Sequence, residues 1–222
     1  MQRLLEHIVL QLDPGLYQKD PFSSPIGKLI LKEGVKQIAH DGLDVFTFKK
    51  LATALNSTET TIYRYFTNKH QMIMYLSSWY WSLLEWRIVF ATANINDPKT
   101  RLQKAIHVLT SRLEADANSL FVDEQLLQDI VNAESYKGFE IHWAKPNDKK
   151  GYYLALNSLI DRLAQIIHEA DKTNKHPRAL ALTFVETTQR QSFYAKHLHE
   201  LTDVGKSQKS LEAFLLSLIH LK

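Results

Sequence analysis

The chain has 222 residues, of which 45% are apolar and 23% charged, a balance typical of globular proteins rather than of long disordered chains. It contains no cysteine, which excludes disulfides, thiolate metal sites and thiol nucleophiles. The net charge of +3 lies entirely within residues 25–70, which carry seven Lys or Arg against four Asp or Glu. A polyanionic partner is therefore expected to bind there.

The scarcity of helix-breaking residues, seven glycines and six prolines, favours an all-α fold. The first residues lack the basic and apolar regions of a secretory signal. No apolar run approaches the roughly 20 residues that would span a bilayer. We therefore expect a cytoplasmic protein with no membrane contact.

The first 24 residues are predicted to form an N-terminal extension. Residues 1–12 have the spacing of a short amphipathic helix, which Asp13-Pro14-Gly15 would end. The polar stretch Gln18–Ser24 is predicted to be a linker.

Three helices are predicted within residues 25–68. Ser24-Pro25 is a helix start, because proline lacks the amide that would be unpaired in the first turn, and Asp41-Gly42 is a helix end. A second helix begins at Thr47 and a third covers about 58–66. We expect Thr58 to cap the third helix by accepting a hydrogen bond from the Thr61 amide.

The remaining residues, 69–222, are predicted to form a second, helical domain. A long helix is expected over about 69–93. Further helices are expected over 98–116, 119–135, 151–173, 177–200 and 208–221. Residues 137–150 are predicted to be a loop that contains a short strand-like alternation, Phe139–Trp143.

Residues 47–66 have the pattern of a helix-turn-helix, two short helices joined by a tight turn. Leu51, Ala52 and Leu55 would face inward from the first helix, and Ile62 and Phe66 from the second. Asn56 lies where the chain must turn left-handed, which asparagine tolerates better than most residues. The other side of the second helix would present hydroxyls, phenols and a guanidinium, the groups that contact phosphates and base edges in a major groove.

The run Thr61-Ile62-Tyr63-Arg64-Tyr65-Phe66, followed by Asn68-Lys69, resembles the pattern T-[LI]-Y-x-[HY]-F-x-x-K of the tetracycline-repressor (TetR) family. The resemblance covers about residues 25–75. It implies a homodimeric regulator that binds a palindromic operator in double-stranded DNA and responds to a small effector. By similarity, the residues at the DNA would be Thr47, Lys49, Thr58, Thr60, Thr61, Tyr63, Arg64, Tyr65 and Lys69. Among them, Tyr63 and Lys69 would bind phosphate, and Arg64 and Tyr65 would reach base edges or the backbone.

The chain departs from the family at a few positions, of which Gly34 is the most informative. It stands in the first helix where the family usually has alanine. Glycine weakens a helix by about 1 kcal/mol relative to alanine. We therefore expect another group to pack closely against Gly34.

The family builds its effector cavity behind the DNA-binding helices and pairs its last two helices in a dimer. An apolar or amphipathic effector would by analogy lie near Trp86, Phe90, His107, Phe121 and Tyr152. The apolar stripes of the last two helices suit the dimer interface. Their residues are Leu182, Val185, Gln189, Phe193, Leu211, Phe214, Leu215 and Leu218.

Two other classes of protein fit the sequence less well. A helical ligand-binding or interaction module without operator binding would keep the fold and lose the polar outer face of helix 58–66. A helical enzyme would need a catalytic motif, yet no nucleophile elbow, phosphate-binding loop or dinucleotide glycine motif occurs. The ten histidines show no metal-binding HExxH spacing. We expect no cofactor, no metal site and no enzymatic activity.

Overall fold

The computed structural model describes residues 12–113, 122–142, 150–204 and 207–219, without the side chains of 136–142 and 150–152. Within these ranges the secondary structure is helical and contains no strand, which confirms the all-α prediction. The helices are α1 (Pro25–Val45), α2 (Phe48–Ala54), α3 (Glu59–Tyr63), α4 (Lys69–Thr92), α5 (Pro98–Thr110), α6 (Glu124–His142), α7 (Lys150–Ala170), α8 (Pro177–His197) and α9 (Gln208–Ser217). Short 3₁₀ turns occur at Pro14–Leu16, Pro21–Ser23 and His199–Leu201.

The chain divides into two compact units. Unit 1 comprises Met1–Tyr80 and Arg112–Ala155, and unit 2 comprises Trp81–Ser111 and Leu156–Lys222. The predicted boundary after residue 68 differs from this division, because the first half of α4 and all of α6 lie in unit 1. In that unit α1 packs against α2 and α6, and α2 against α3; in unit 2, α5, α8 and α9 pack against one another.

Helix α1 begins as predicted, with the Gly27 amide donating to Ser24 Oγ at 3.2 Å and proline in the first turn. The predicted end at Gly42 appears as a break, at which this residue has φ 78° and ψ 159°. A side chain rarely tolerates that conformation, which explains the glycine. One further turn, Leu43–Val45, follows the break and leads to Phe46.

The helix-turn-helix has the predicted caps and turn. The Lys50 amide donates to Thr47 Oγ1 at 3.2 Å, and the Thr61 amide to Thr58 Oγ1 at 3.3 Å. Asn56 has the expected positive φ, 47°. Helix α3 is shorter than the predicted 58–66, because the chain leaves the helix at Arg64.

The N-terminal segment that precedes α1 is packed, so the prediction of a linker over Gln18–Ser24 was wrong. Leu16 is fully buried, and the Gln18 amide donates to the Tyr65 carbonyl at 2.8 Å. The aromatic side chains of this segment contact α4: the rings of Tyr17 and Tyr75 lie 5.9 Å apart, as do those of Phe22 and Trp79. The segment 12–24 therefore packs onto unit 1, with Leu16 and Pro21 buried.

Gly34 has the close neighbour that the sequence led us to expect. A Cβ on this residue would overlap the Cε atom of Met72, a fully buried side chain of α4. The absence of a side chain thus leaves room for Met72 to pack against α1.

The later helices follow the predicted order with shifted ends. Residues 137–142, predicted to begin a loop with strand-like alternation, lie in α6. The alternation was too short to override helix formation over the preceding residues. The predicted helix over 1–12 falls almost wholly outside the described residues. No helix among those described is both long enough and apolar enough to cross a membrane.

Substitution of Gly27 tests whether the N-terminal segment is packed. A Cβ there would overlap backbone atoms of Pro21, whereas a Cβ on Gly34 would meet only the flexible end of Met72. Gly27→Ala should lower the free energy of unfolding by about 1–3 kcal/mol, as overpacking does, and by more than Gly34→Ala. Urea unfolding measures both. A stabilised Gly27→Ala would mean that helix propensity dominates and that the segment does not pack there.

Candidate nucleic-acid interface

The two caps of the helix-turn-helix lie beside a continuous set of exposed polar residues. Leu51 of α2 and Ile62 of α3 are both fully buried in the core of unit 1. Burying them turns the opposite sides of both helices outward. The predicted DNA-facing residues that are exposed are Thr47, Lys49, Thr58, Thr60, Tyr63 and Arg64, and Thr61 is partly exposed.

Tyr63 is held in place although its side chain is 49% exposed. Its ring lies 5.2 Å from that of Phe48 in an edge-on arrangement, and Phe48 is buried. The contact restricts the phenol while leaving its other side accessible. Such a group can donate to a phosphate oxygen with little loss of side-chain entropy.

The two cations of this face are available for a partner. In the part of the chain that the structure describes, neither Lys49 nor Arg64 forms a hydrogen bond or an ion pair through its side chain. The positive end of the α3 dipole and the amides of its first turn also favour anions, more weakly than the two cations do. Together these groups form a surface that can neutralise phosphates and donate to base edges.

Tyr65 does not belong to this surface, so its placement at the DNA was wrong. It is 2% exposed, and its hydroxyl lies 2.7 Å from Ser24 Oγ, the cap of α1. The ammonium of Lys19 lies 5.5 Å from the centre of its ring. The signal was present in the sequence, since Tyr65 follows the buried Ile62 by three residues, the spacing of one helix face.

Lys69 also differs from its prediction as a phosphate contact. Its ammonium group donates to the carbonyl oxygens of Leu43 at 2.7 Å, Asp44 at 2.9 Å and Phe46 at 3.3 Å. These three bonds use all the protons of the group. The structure thus directs Lys69 into the corner between α1 and α2.

Beside that corner, Asp41 is a negative charge held in its ionised form. Its carboxylate lies 2.6 Å from the Nδ1 atom of His40 and 4.0 Å from the ammonium of Lys50. The hydrogen bond with His40 lowers the pKa of Asp41, and the charges of His40 and Lys50 lower it further. Lys50 is therefore partly neutralised, unlike Lys49.

One residue of the corner was missed by the sequence analysis. Glu134 of α6 accepts a hydrogen bond from the Leu43 amide through its Oε1 atom at 3.3 Å. The two residues are 91 positions apart in the sequence. No local pattern could have indicated this contact.

The predicted effector site is only partly described. Trp86 and Phe90 stack with ring centres 5.6 Å apart, and Phe90 is 54% exposed. His107 lies on the exposed side of α5, 2.9 Å from a carboxylate oxygen of Glu212 on α9, and its prediction as an effector contact stays a prediction. Phe121 lies outside the described residues, and so does the side chain of Tyr152.

The predicted dimer residues separate into two groups. Four of them face the core of unit 2 and are therefore not available to a second chain: Val185, Gln189, Leu211 and Leu215. Their prediction was wrong, because helices α8 and α9 bury these stripes against their own unit. The other four are exposed or half-buried: Leu182, Phe193, Phe214 and Leu218.

The helix-turn-helix, with its buried inner residues and cationic outer face, defines a nucleic-acid-binding protein of the helix-turn-helix class. Residues 30–76 match the model of the bacterial regulatory proteins of the tetR family. The match covers both helices of the helix-turn-helix and the start of α4. No curated protein matches the sequence.

Several solved structures share the fold of nearly the whole chain. A regulatory protein of the tetR family from Rhodococcus RHA1 is 14% identical with a TM-score of 0.67, and the alignment covers 90% of this chain and 99% of that one. The fatty acid degradation regulator FadR from Bacillus halodurans is 17% identical with a TM-score of 0.64, covering 87% and 95%. AibR in complex with isovaleryl coenzyme A and operator DNA is 13% identical with a TM-score of 0.59, covering 86% and 97%. At these identities the likeness concerns the fold.

Removing the hydroxyl groups of the two tyrosines distinguishes the buried residue from the exposed one. Tyr65→Phe should lower the free energy of unfolding by about 1 kcal/mol, because it removes the buried hydrogen bond between the Tyr65 hydroxyl and Ser24 Oγ. Tyr63→Phe should leave stability within about 0.5 kcal/mol, as expected for an exposed group. Chemical denaturation of both variants measures this. Equal losses would contradict the buried position of Tyr65.

Proposed function

We propose that the protein is a sequence-specific regulator of transcription that binds double-stranded DNA as a homodimer and represses until a small effector releases it. One observation carries the proposal. The segment that matches the tetR family, residues 30–76, contains the exposed face on which Thr60, Tyr63 and Arg64 surround the buried Ile62. The chain thus has both the framework and the surface chemistry of a DNA-reading helix.

Helix α3 is the recognition helix in this proposal. The Arg64 guanidinium can donate two parallel hydrogen bonds to guanine, and the methyl group of Thr60 can contact thymine. Thr47, Lys49 and Tyr63 would bind phosphates on either side of the groove and set the register. Lys49 supplies an electrostatic contribution that weakens with salt.

A homodimer would present two copies of α3 to half-sites one helical turn apart, roughly 34–36 Å. Two-fold symmetry of the protein then requires a palindromic operator. Support for the interface comes from apolar exposure in and between the last two helices. Leu182 and Leu218 are 41% and 40% exposed, and Leu198 and Leu201 of the connecting segment are 48% and 67% exposed. Burial in a dimer would remove this surface from water.

The effector is proposed to be an apolar or amphipathic molecule that binds among the helices after α3. AibR has been solved with isovaleryl coenzyme A, a molecule of that kind, and FadR is a regulator of fatty acid degradation. Acyl thioesters are therefore the first compounds to test for release of DNA. An effector can release DNA only by favouring a conformation whose recognition helices no longer match the operator, and DNA must weaken effector binding by the same factor. A regulator of this type acts where the chromosome lies, in the cytoplasm.

Selection from a random pool of duplex DNA tests the proposed function. The wild-type protein should enrich a palindromic sequence. Arg64→Ala should tolerate changes at one base pair of each half-site, with a loss of about 1–3 kcal/mol for the preferred sequence. Lys49→Met should weaken all sequences alike and reduce the slope of log K against log salt by about one unit for each protomer.

Lys172→Met is the control for these variants, because it removes an exposed charge of unit 2. Its affinity and salt slope should match those of the wild type. Failure of the wild-type protein to enrich any sequence would refute operator binding. The helical interaction module without DNA binding would then be the better explanation.

The proposed dimer predicts different effects for exposed and buried leucines. Leu182→Glu and Leu218→Glu should give folded monomers in sedimentation, since each introduces a charge into the interface. Leu215→Glu should instead unfold unit 2, because it would bury an unpaired charge. Circular dichroism checks the fold of each variant. Folded dimers of both Leu182→Glu and Leu218→Glu would place the interface elsewhere.

A further inference from the structure

The break at Gly42 turns the chain sharply and leaves backbone carbonyl groups that need hydrogen-bond donors. The residues between this break and Thr47, the cap of α2, are Leu43–Phe46, which we call the corner segment. Its carbonyl groups lie at the end of α1, where helical partners run out. Thr47 follows directly and caps α2 through its hydroxyl. The orientation of α2, with its exposed Thr47 and Lys49, therefore depends on how the corner segment is held.

Two lysines satisfy the carbonyl groups of the corner segment. Lys69, the first residue of α4, takes those of Leu43, Asp44 and Phe46. Lys50 of α2 takes the remaining one, with its ammonium 3.2 Å from the Val45 carbonyl oxygen. All four carbonyls thus have a charged donor, and such bonds are stronger than those between neutral groups.

A lysine is an unfavourable residue at the start of a helix. The N-terminal end of a helix carries a partial positive charge, which repels a cation. Lys69 occupies that position in α4 and is half-buried. The carbonyl groups at the end of α1 supply the negative potential that compensates for the repulsion. This pairing of the end of one helix with the start of another explains the lysine without a phosphate.

Glu134 binds an amide of the corner segment, whereas the two lysines bind its carbonyl groups. Its carboxylate accepts from the amide of Leu43, the first residue after the break. The Gly42 position adjoins it, since a Cβ there would lie 3.6 Å from the same oxygen. Helices α4 and α6 therefore each contribute one charged side chain to a corner of four residues, one as donor and one as acceptor.

We propose that Lys69 and Glu134 are positioning residues for DNA binding, which fix α2 through the corner segment and do not themselves touch DNA. The inference rests on the proposed DNA-binding function. It deepens that function by removing Lys69 from the set of phosphate contacts and adding a carboxylate of α6 to the residues on which affinity depends.

The negative charge of Glu134 lets DNA-binding measurements distinguish positioning from electrostatic attraction. If electrostatic attraction alone mattered, removing the negative charge of Glu134 would strengthen binding to a polyanion. Positioning predicts the opposite for Glu134→Ala, a loss of about tenfold or more, as for a lost charge-assisted hydrogen bond. Glu134→Gln should bind like the wild type, because its amide oxygen still accepts from Leu43.

The salt dependence of DNA affinity distinguishes a lysine that positions α2, Lys69, from one that binds phosphate, Lys49. Lys69→Met should lower affinity by about tenfold or more with an unchanged salt slope, whereas Lys49→Met changes the slope. Lys69→Arg, which keeps several donors, should recover part of the affinity. The probe is the duplex enriched by the wild-type protein. A reduced slope for Lys69→Met, or stronger binding by Glu134→Ala, would overturn the proposal.

Hydrogen exchange provides a readout that needs no DNA. Peptides covering residues 43–55 should exchange about tenfold faster in Lys69→Met and Glu134→Ala than in the wild type. They should be unchanged in Lys49→Met and Lys172→Met. Urea unfolding confirms that each variant is folded. Unchanged protection of these peptides would refute the positioning role even if no operator were found, while failed enrichment by the wild type would refute the proposed function alone.

Discussion

The backbone carbonyls at the end of α1 need hydrogen-bond donors, and the exposed face of the helix-turn-helix depends on how this need is met. A helix that is broken at Gly42 leaves acceptors that neither the helix nor its own side chains can satisfy. Leaving such groups buried without partners would cost about 1–3 kcal/mol each. The chain meets the demand with Lys50 and Lys69, and in doing so joins α1, α2 and α4 at one point. Hydrogen bonding of backbone groups thus adds to the apolar core in holding the helix-turn-helix.

Helix α3 has only five residues and would not form alone, because a single turn does not repay the cost of nucleation. Its surroundings determine its shape. Thr58 caps its start, Ile62 anchors it in the core, and the amides of Tyr65 and Phe66 both donate to the Ile62 carbonyl, at 2.9 and 3.1 Å. The N-terminal segment adds a further bond through Gln18. The short helix α3 is therefore held in place by its cap and by the residues after it, which turn inward.

Local chemistry made much of the fold predictable. Ser24, Thr47 and Thr58 were identified as caps because a hydroxyl before an apolar run leaves little alternative, and Asn56 because few residues accept a positive φ. The contacts of Glu134 and Lys69 were not predictable, since they join residues 91 and about 25 positions apart. The apolar stripes of α8 and α9 showed which residues are apolar but not which neighbour buries them. Val185 and Leu215 were therefore assigned to a partner chain although their own unit covers them.

The run from Thr61 to Lys69 contains buried residues that maintain the fold and exposed residues that could bind DNA. Sequence comparison alone does not separate the two sets. Ile62, Tyr65, Phe66 and Lys69 point into the unit, so a match at these positions reports the fold. Tyr63 and Arg64 are exposed, and the packing of the Tyr63 ring on Phe48 gives no reason for its hydroxyl group, nor does the fold for the guanidinium. A protein that had kept the fold and lost DNA binding would be free to change the second set while retaining the first. The chain retains both, and the second set is the part of the motif that argues for a function.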